Sequence, residues 1–150
     1  MKKLTHKGKY RVRNVEKYDG DPDKVTFRSS WEKAAFIWAD KNSNVVKWSS
    51  EEVVVPYIFS IDGKPHRYFV DLYLEFKSGP PIIVEIKPRA ETKKPRKTAK
   101  KKRGRYLNEA HTFVKNQNKW AAAAKYAEER GWKFQIWDEV FLRKAKILRW

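Results

Sequence analysis

Residues 66–87, HRYFVDLYLEF-KSGPP-IIVEIK, constrain the fold of this chain more than any other stretch. The first run alternates with period two. Val70, Leu72, Leu74 and Phe76 fall on one face, and Asp71, Tyr73 and Glu75 on the other. The second run is apolar at Ile82, Ile83, Val84 and Ile86, as a strand covered on both faces would be. Between them, KSGPP supplies turn residues, so the pair is expected to form an antiparallel hairpin. A turn centred near Ser78 and Gly79 sets Asp71 opposite Glu85 to Lys87, and strand period puts Glu85 and Lys87 on the face of Ile83. The apolar core requires none of these three charges.

The rest of the chain places this hairpin in an α/β domain. RSSWEKAAFIWADKN reads as a largely buried helix capped by Ser29 or Ser30 and running to about Ala39. VVKWSS and EEVVVPYIF read as short strands, with Pro56 marking an edge, and DGKP (62–65) as a turn. A long helix is expected from Tyr106, with Ala110, Phe113, Gln117, Trp120 and Ala124 at helical spacing and Gly131 as its stop. WKFQIW is a final strand, followed by a short basic helix or tail. The expected fold is a mixed central β-sheet flanked by helices in a single domain, 150 residues being enough to bury a core.

Charge points to the partner. Lys and Arg number 35 against 18 Asp and Glu, a formal net charge of +17. The excess is clustered. Residues 1–13 hold six basic residues and no acid, and read as a mobile arm. In the segment 88–105, nine of the thirteen residues from Lys93 to Arg105 are basic: Lys93, Lys94, Arg96, Lys97, Lys100, Lys101, Lys102, Arg103 and Arg105. This is expected to be a loop, disordered alone, that grips a polyanion, and double-stranded DNA is the expected partner. A membrane surface is not expected, because the basic runs lack an apolar face. No apolar run reaches membrane-spanning length, and no signal-peptide pattern follows MKKLTHKGKY. With no Cys, disulfides, thiol chemistry and Cys-ligated zinc are excluded.

Two facing carboxylates repel unless a proton or a cation joins them. Asp71 and Glu85 are therefore candidate ligands of a hard divalent cation. Mg2+ is the expected ion, with Mn2+ able to replace it, since waters and substrate phosphate can complete its octahedron. Lys87 could then orient the attacking water or offset charge on the phosphate. The competing explanation is a surface ion pair with Lys87 or Arg67 on a solvated sheet face. Glu32 also has two readings: a third acid pointing into the site, or one half of a capping box with Ser29. Gln117 and His66 are accessory candidates, each equally compatible with a structural role, and Lys119 is similarly open.

Glu32 in an early helix, Asp71 on one core strand and the Glu85-x-Lys87 triplet on the next resemble the PD-(D/E)XK nuclease superfamily. Val70 stands where that superfamily usually has proline. KGKYRVRN, YDGDP, FRSSWEKAAF, HRYFVDLYL and KWAAAAKYAEERGWKF are similar to the head-completion nucleases of large tailed phages, over nearly the whole chain. The resemblance implies a restriction-endonuclease-like core and a catalytic set of Glu32, Asp71, Glu85 and Lys87. It also implies Mg2+-dependent DNA cleavage with little sequence specificity during head completion and head–tail joining. Portal or neck proteins would be partners, and the host cytoplasm or the virion the location. The alternatives are a non-catalytic DNA-binding assembly protein on the same fold, or an RNA-binding protein.

Overall fold

The computed structural model describes residues 6–149. Its centre is a mixed four-stranded sheet in the order β3 (Val45–Ser49), β6 (Leu72–Phe76), β7 (Ile82–Ile86), β8 (Lys133–Trp137). β3–β6 and β6–β7 are antiparallel, and β7–β8 is parallel. A two-stranded ribbon, β4 (Val54–Phe59) with β5 (Lys64–Phe69), packs against one face with the long helix α2 (Arg103–Glu129). The other face is covered by α1 (Ser30–Lys41), by α3 (Glu139–Lys144) and by the N-terminal segment with its short pair β1 (Gly8–Lys9) and β2 (Thr26–Phe27).

Every residue of β7 is buried, which explains its two-sided apolar pattern. Val84 and Ile86 face Trp31, Phe36 and Trp48, whereas Ile83 faces Trp120, Ala123 and Tyr68. The hairpin forms with Leu72 opposite Val84, and extending that register sets Asp71 opposite Glu85.

One expectation needs correction. Residues 66–76 are two strands, not one. β5 pairs only with β4 in the ribbon, and β6 begins after a break at Val70–Asp71. At the break the backbone of Val70 bonds to the 51–53 segment, accepting from Glu51 N–H (3.1 Å) and donating to Val53 O (3.1 Å). Two core clusters compete for the side chains here: Val70 joins Tyr73 and Ile83 on the ribbon side, while Leu72 and Leu74 stay with the α1 side. Strict alternation cannot satisfy both, so the strand kinks.

The basic arm is a second correction. Residues 1–5 lie outside the described residues, but 8–13 are built into the core side of α1. Asp40, fully buried at the end of α1, accepts from Tyr10 Oη (2.8 Å), Arg13 N–H (2.8 Å) and Asn14 N–H (3.1 Å). Lys17 Nζ reaches the carbonyls of Ala39, Asp40 and Asn42, each at 2.9 Å, and so offsets the negative helix end. The stop of α2 is as expected. Gly131 adopts φ +72°, and Trp132 N–H bonds back to Ala127 O at 2.8 Å. No helix among the described residues is long and apolar enough to cross a membrane.

Burial pushes the Asp40 carboxyl up, but the donors from Arg13, Tyr10 and Asn14, with Lys17 beyond, bring it below its ordinary 3.8. A depressed folded value stabilises the fold above the unfolded pKa, and that contribution is lost as pH falls through the folded value. Asp40→Ala should cost at least about 2 kcal/mol at pH 7, from buried donors left unpaired. In urea titrations the deficit relative to wild type should shrink below pH 3.8.

Candidate active site

The break at Val70–Asp71 opens a cleft of about 410 Å3 between the ribbon, the central sheet and α2. Asp71 and Glu85 line its floor, Arg28 and Glu51 one wall, and Lys119 of α2 another. Val70 is the position that would face Ile86 in the hairpin, yet its backbone is taken by the 51–53 segment. Asp71 Oδ2 accepts from Ile86 N–H at 2.7 Å. That bond fixes the carboxylate at the mouth of the hairpin, partly exposed.

Glu85 is buried on the β7 face turned toward α2. Its Oε2 accepts from Tyr68 Oη, and Lys87 Nζ stands 3.5 Å from its Oε1. Burial, then the charges of Glu85 and Asp71, push the Tyr68 hydroxyl far above its ordinary value, so it remains a neutral donor at any working pH. Lys119 Nζ lies 5.4 Å from the centre of the Tyr68 ring. Arg28 holds Glu51 through Nε (2.7 Å) and Nη2 (3.3 Å), and Glu51 sits at φ +58°, a left-handed conformation uncommon for glutamate.

The structure thus brings Asp71, Glu85 and Lys87 together. Glu32 has another occupation. Its N–H donates to Ser29 Oγ (3.2 Å), and its carboxylate accepts from Ser29 Oγ (3.1 Å) and Arg28 N–H (3.3 Å), closing the N-terminus of α1. The acid added to the cleft wall is Glu51, which sequence pattern could not single out from the EE pair in the 50–53 loop. Lys119 joins the site because α2 turns it inward. Gln117, two residues earlier, is exposed on the opposite side. His66 bonds to Asp62 at 2.8 Å across the ribbon turn and stacks on Tyr57, which gives it a structural role.

The basic loop leaves β7 beside this cleft. After Pro88 it makes one 3-10 turn, Arg89–Thr92, anchored by Arg89 Nε to Asp138 Oδ2 (2.8 Å). From Lys93 to Lys102 it has no regular structure, and α2 starts at Arg103 instead of Tyr106. Lys101 is turned inward, pairing with Glu109 at 2.8 Å and bonding to Arg96 O, while the other eight basic side chains expected to grip DNA are exposed. A second hollow of about 860 Å3 lies between this loop and α2. It reaches Asn116, one helical turn from Lys119, so the two depressions follow one another along α2.

Comparison with known proteins identifies the family. The model of the TnsA-like endonuclease N-terminal family matches residues 42–139, from just before β3 to the start of α3. The chain belongs to this endonuclease family. It is also 45% identical, over 145 residues, to the head completion nuclease of Enterobacteria phage T4, spanning 93% of this chain and 95% of that relative. The TnsA-like match contains Asp71, Glu85, Lys87 and Lys119 but not α1, where Glu32 caps the helix.

For a TnsA-like nuclease a divalent metal is the usual helper, and the donor set fits one. Asp71 and Glu85 offer hard oxygen ligands, and among the described residues no group of three His, Asp or Glu could hold an ion alone. Two carboxylates, with waters and substrate phosphate to complete the shell, suit an open divalent-metal site better than a closed structural one.

Burial lowers the pKa of Lys119; Lys87 and Lys115 act in the same direction, while Glu85 and Asp71 oppose it. A lysine whose folded pKa is lowered destabilises the fold while protonated, and that cost vanishes as pH rises through its unfolded value of 10.5. Lys119→Met should therefore raise the urea midpoint at pH 7, and the gain should shrink as pH is raised toward 10.5.

Proposed function

We propose that this protein is a divalent-metal-dependent deoxyribonuclease that hydrolyses phosphodiester bonds of double-stranded DNA with little sequence specificity. The observation that carries it is the convergence of Asp71 and Glu85 on one cleft floor, with Lys87 Nζ 3.5 Å from Glu85. Asp71 and Glu85 would hold Mg2+, or Mn2+ in its place. The ion, when bound, supplies charge to the phosphoryl oxygens and lowers the pKa of a nearby water. Lys87 positions the water or faces the charge growing on the phosphate, and Lys119 presents a second cation from α2. Tyr68 keeps the Glu85 carboxylate aimed by holding one of its oxygens. Glu32, which also caps α1, would help through the metal or a water.

Lys93, Lys94, Arg96, Lys97, Lys100, Lys102, Arg103 and Arg105 form the surface that holds the DNA backbone, continuing from the cleft along α2. Phosphate contacts carry no base information, which supports weak sequence specificity. The T4 relative is a head completion nuclease, and we assign this chain the same task, trimming packaged DNA in the host cytoplasm or on the virion. Portal or neck proteins are the docking partners proposed for it.

Plasmid nicking with Mg2+ tests the assignment. Asp71→Ala and Lys87→Ala should each lower cleavage by about 100-fold or more while duplex binding persists. Added Mg2+ or Mn2+ should raise the Tm of wild type and not of Asp71→Ala. Unchanged cleavage in both variants sinks the catalytic reading, and binding without any cleavage by wild type favours a non-catalytic assembly protein. Exchanging Lys93, Lys94 and Lys97 for Gln should weaken binding. The slope of log affinity against log salt should become shallower by about 0.9 for each phosphate no longer neutralised.

A further inference from the structure

The cleft has one exposed apolar side chain, and it stands next to the carboxylates. Phe69, at the end of β5, is 43% exposed and lines the same cleft as Asp71 and Glu85. Exposed aliphatic residues elsewhere on the ribbon, Ile58 and Ile61, lie outside that cleft and need no explanation. Phe69 differs in its surroundings. Its neighbours in the cleft are charged or polar, and Arg67, two residues back on the same ribbon face, places its guanidinium 5.4 Å from the ring centre. One side of the ring carries a cation and the ring remains partly open, beside a floor suited to phosphate chemistry.

A flat aromatic ring backed by arginine is the equipment that stacks on a nucleobase. Asp71 is two residues from Phe69, so across the kink their Cα atoms are at most about 7 Å apart. Successive nucleotides of a stacked strand rise about 3.4 Å. A phosphate seated over Asp71 and Glu85 therefore brings the base one or two nucleotides away within reach of Phe69. The π-face of that base is available only if it has left the duplex, because an intact helix buries both faces of its internal bases.

We propose that Phe69, with Arg67 behind it, is a stacking platform for an unpaired nucleobase beside the scissile phosphate. The preferred substrate is accordingly DNA with a frayed, overhanging or branched end, over a continuous duplex. This rests on the cleft being the DNA-hydrolysing site, but its test does not depend on cleavage. Fluorescence anisotropy without metal compares two DNAs of equal length, one with a single-stranded overhang and one closed at both ends by base-free hexaethylene-glycol linkers and stapled with internal cross-links, so that it offers no unpaired base. Wild type should bind the overhang more tightly. Phe69→Leu, which keeps apolar cover for the ribbon, should lose about 5- to 150-fold on the overhang and little on the closed duplex, and Phe69→Trp should restore the preference. Ile58→Ala, on the same ribbon, should leave it unchanged. An overhang preference that survives Phe69→Leu, or equal loss on both DNAs, overturns the platform. Loss of cleavage in Asp71→Ala with such a result would leave the hydrolytic reading standing. Intact cleavage in Asp71→Ala and Lys87→Ala, with the Phe69 effect present, would remove the hydrolytic site and keep the stacking surface.

Discussion

The site is organised around the hydrogen bond from the Ile86 N–H to the Asp71 carboxylate. It exists because the chain changes partners there. Val70 gives its backbone to the 51–53 segment, and Leu72 gives its own to Val84. The N–H of Ile86, the last residue of buried β7, does not use the Val70 carbonyl, and a buried donor costs about 1–3 kcal/mol if nothing takes that acceptor's place. Asp71 replaces it. The residue that repairs the ladder also exposes a carboxylate beside Glu85, so the kink and the candidate metal site are one feature. Proline in place of Val70 would remove the N–H that bonds to Val53 O, which gives a physical reason for the departure from the superfamily pattern at this position.

Around that point, the protein accumulates charges that a folded core would avoid. Glu85 is buried beside Tyr68 and Lys87; Lys119 is held below its ordinary pKa mainly by burial; Glu51 occupies a left-handed backbone conformation and is pinned by Arg28. Each is locally unfavourable, and together they enclose one cleft. Such concentration is how active sites differ from surface ion-pair networks, where charges are well solvated and contribute little. Glu85 and Lys87 do form an ion pair at 3.5 Å, but the carboxylate is buried in β7 instead of lying on a fully solvated sheet face.

Much of this was legible in the sequence because it follows from short-range periodicity. The hairpin, its register to within a residue, the face shared by Asp71 and Glu85, the Ser29 cap and the Gly131 stop all rest on patterns within about fifteen residues. What sequence did not reveal depends on distant partners. The strand break arises because Val70 is claimed by a cluster that includes Trp120 and Ala123, fifty residues away in the chain. Residues 10–13 look like part of a mobile arm until Asp40 is seen accepting from the Tyr10 hydroxyl and the Arg13 N–H. Gln117 and Lys119 could not be separated without the rotation of α2, and Glu51 had no pattern at all. Of the two readings of Glu32, the geometry of Ser29 adds the cap as an observed role.

The first turn of α2 shows where this economy leads. Its N-cap, Lys102, makes no side-chain cap bond, no acid lies in the turn, and Arg103 and Arg105 stand at the positive end of the helix dipole. By local rules this is a poor helix start, while α1 and α3 begin with Ser29 and Asp138 bonded into their first turns. Glu109 relieves part of the conflict through Lys101 and Arg105. A phosphate backbone lying along the hollow beside this turn would relieve the rest, since the exposed N–H groups and the arginines ask for the same anion. The segment is least self-sufficient where the proposed substrate would enter, and it leads one helix face directly to Lys119 and the carboxylates. Violations of local preference that cluster along one path belong to binding more than to folding, and in this molecule that path ends at Asp71.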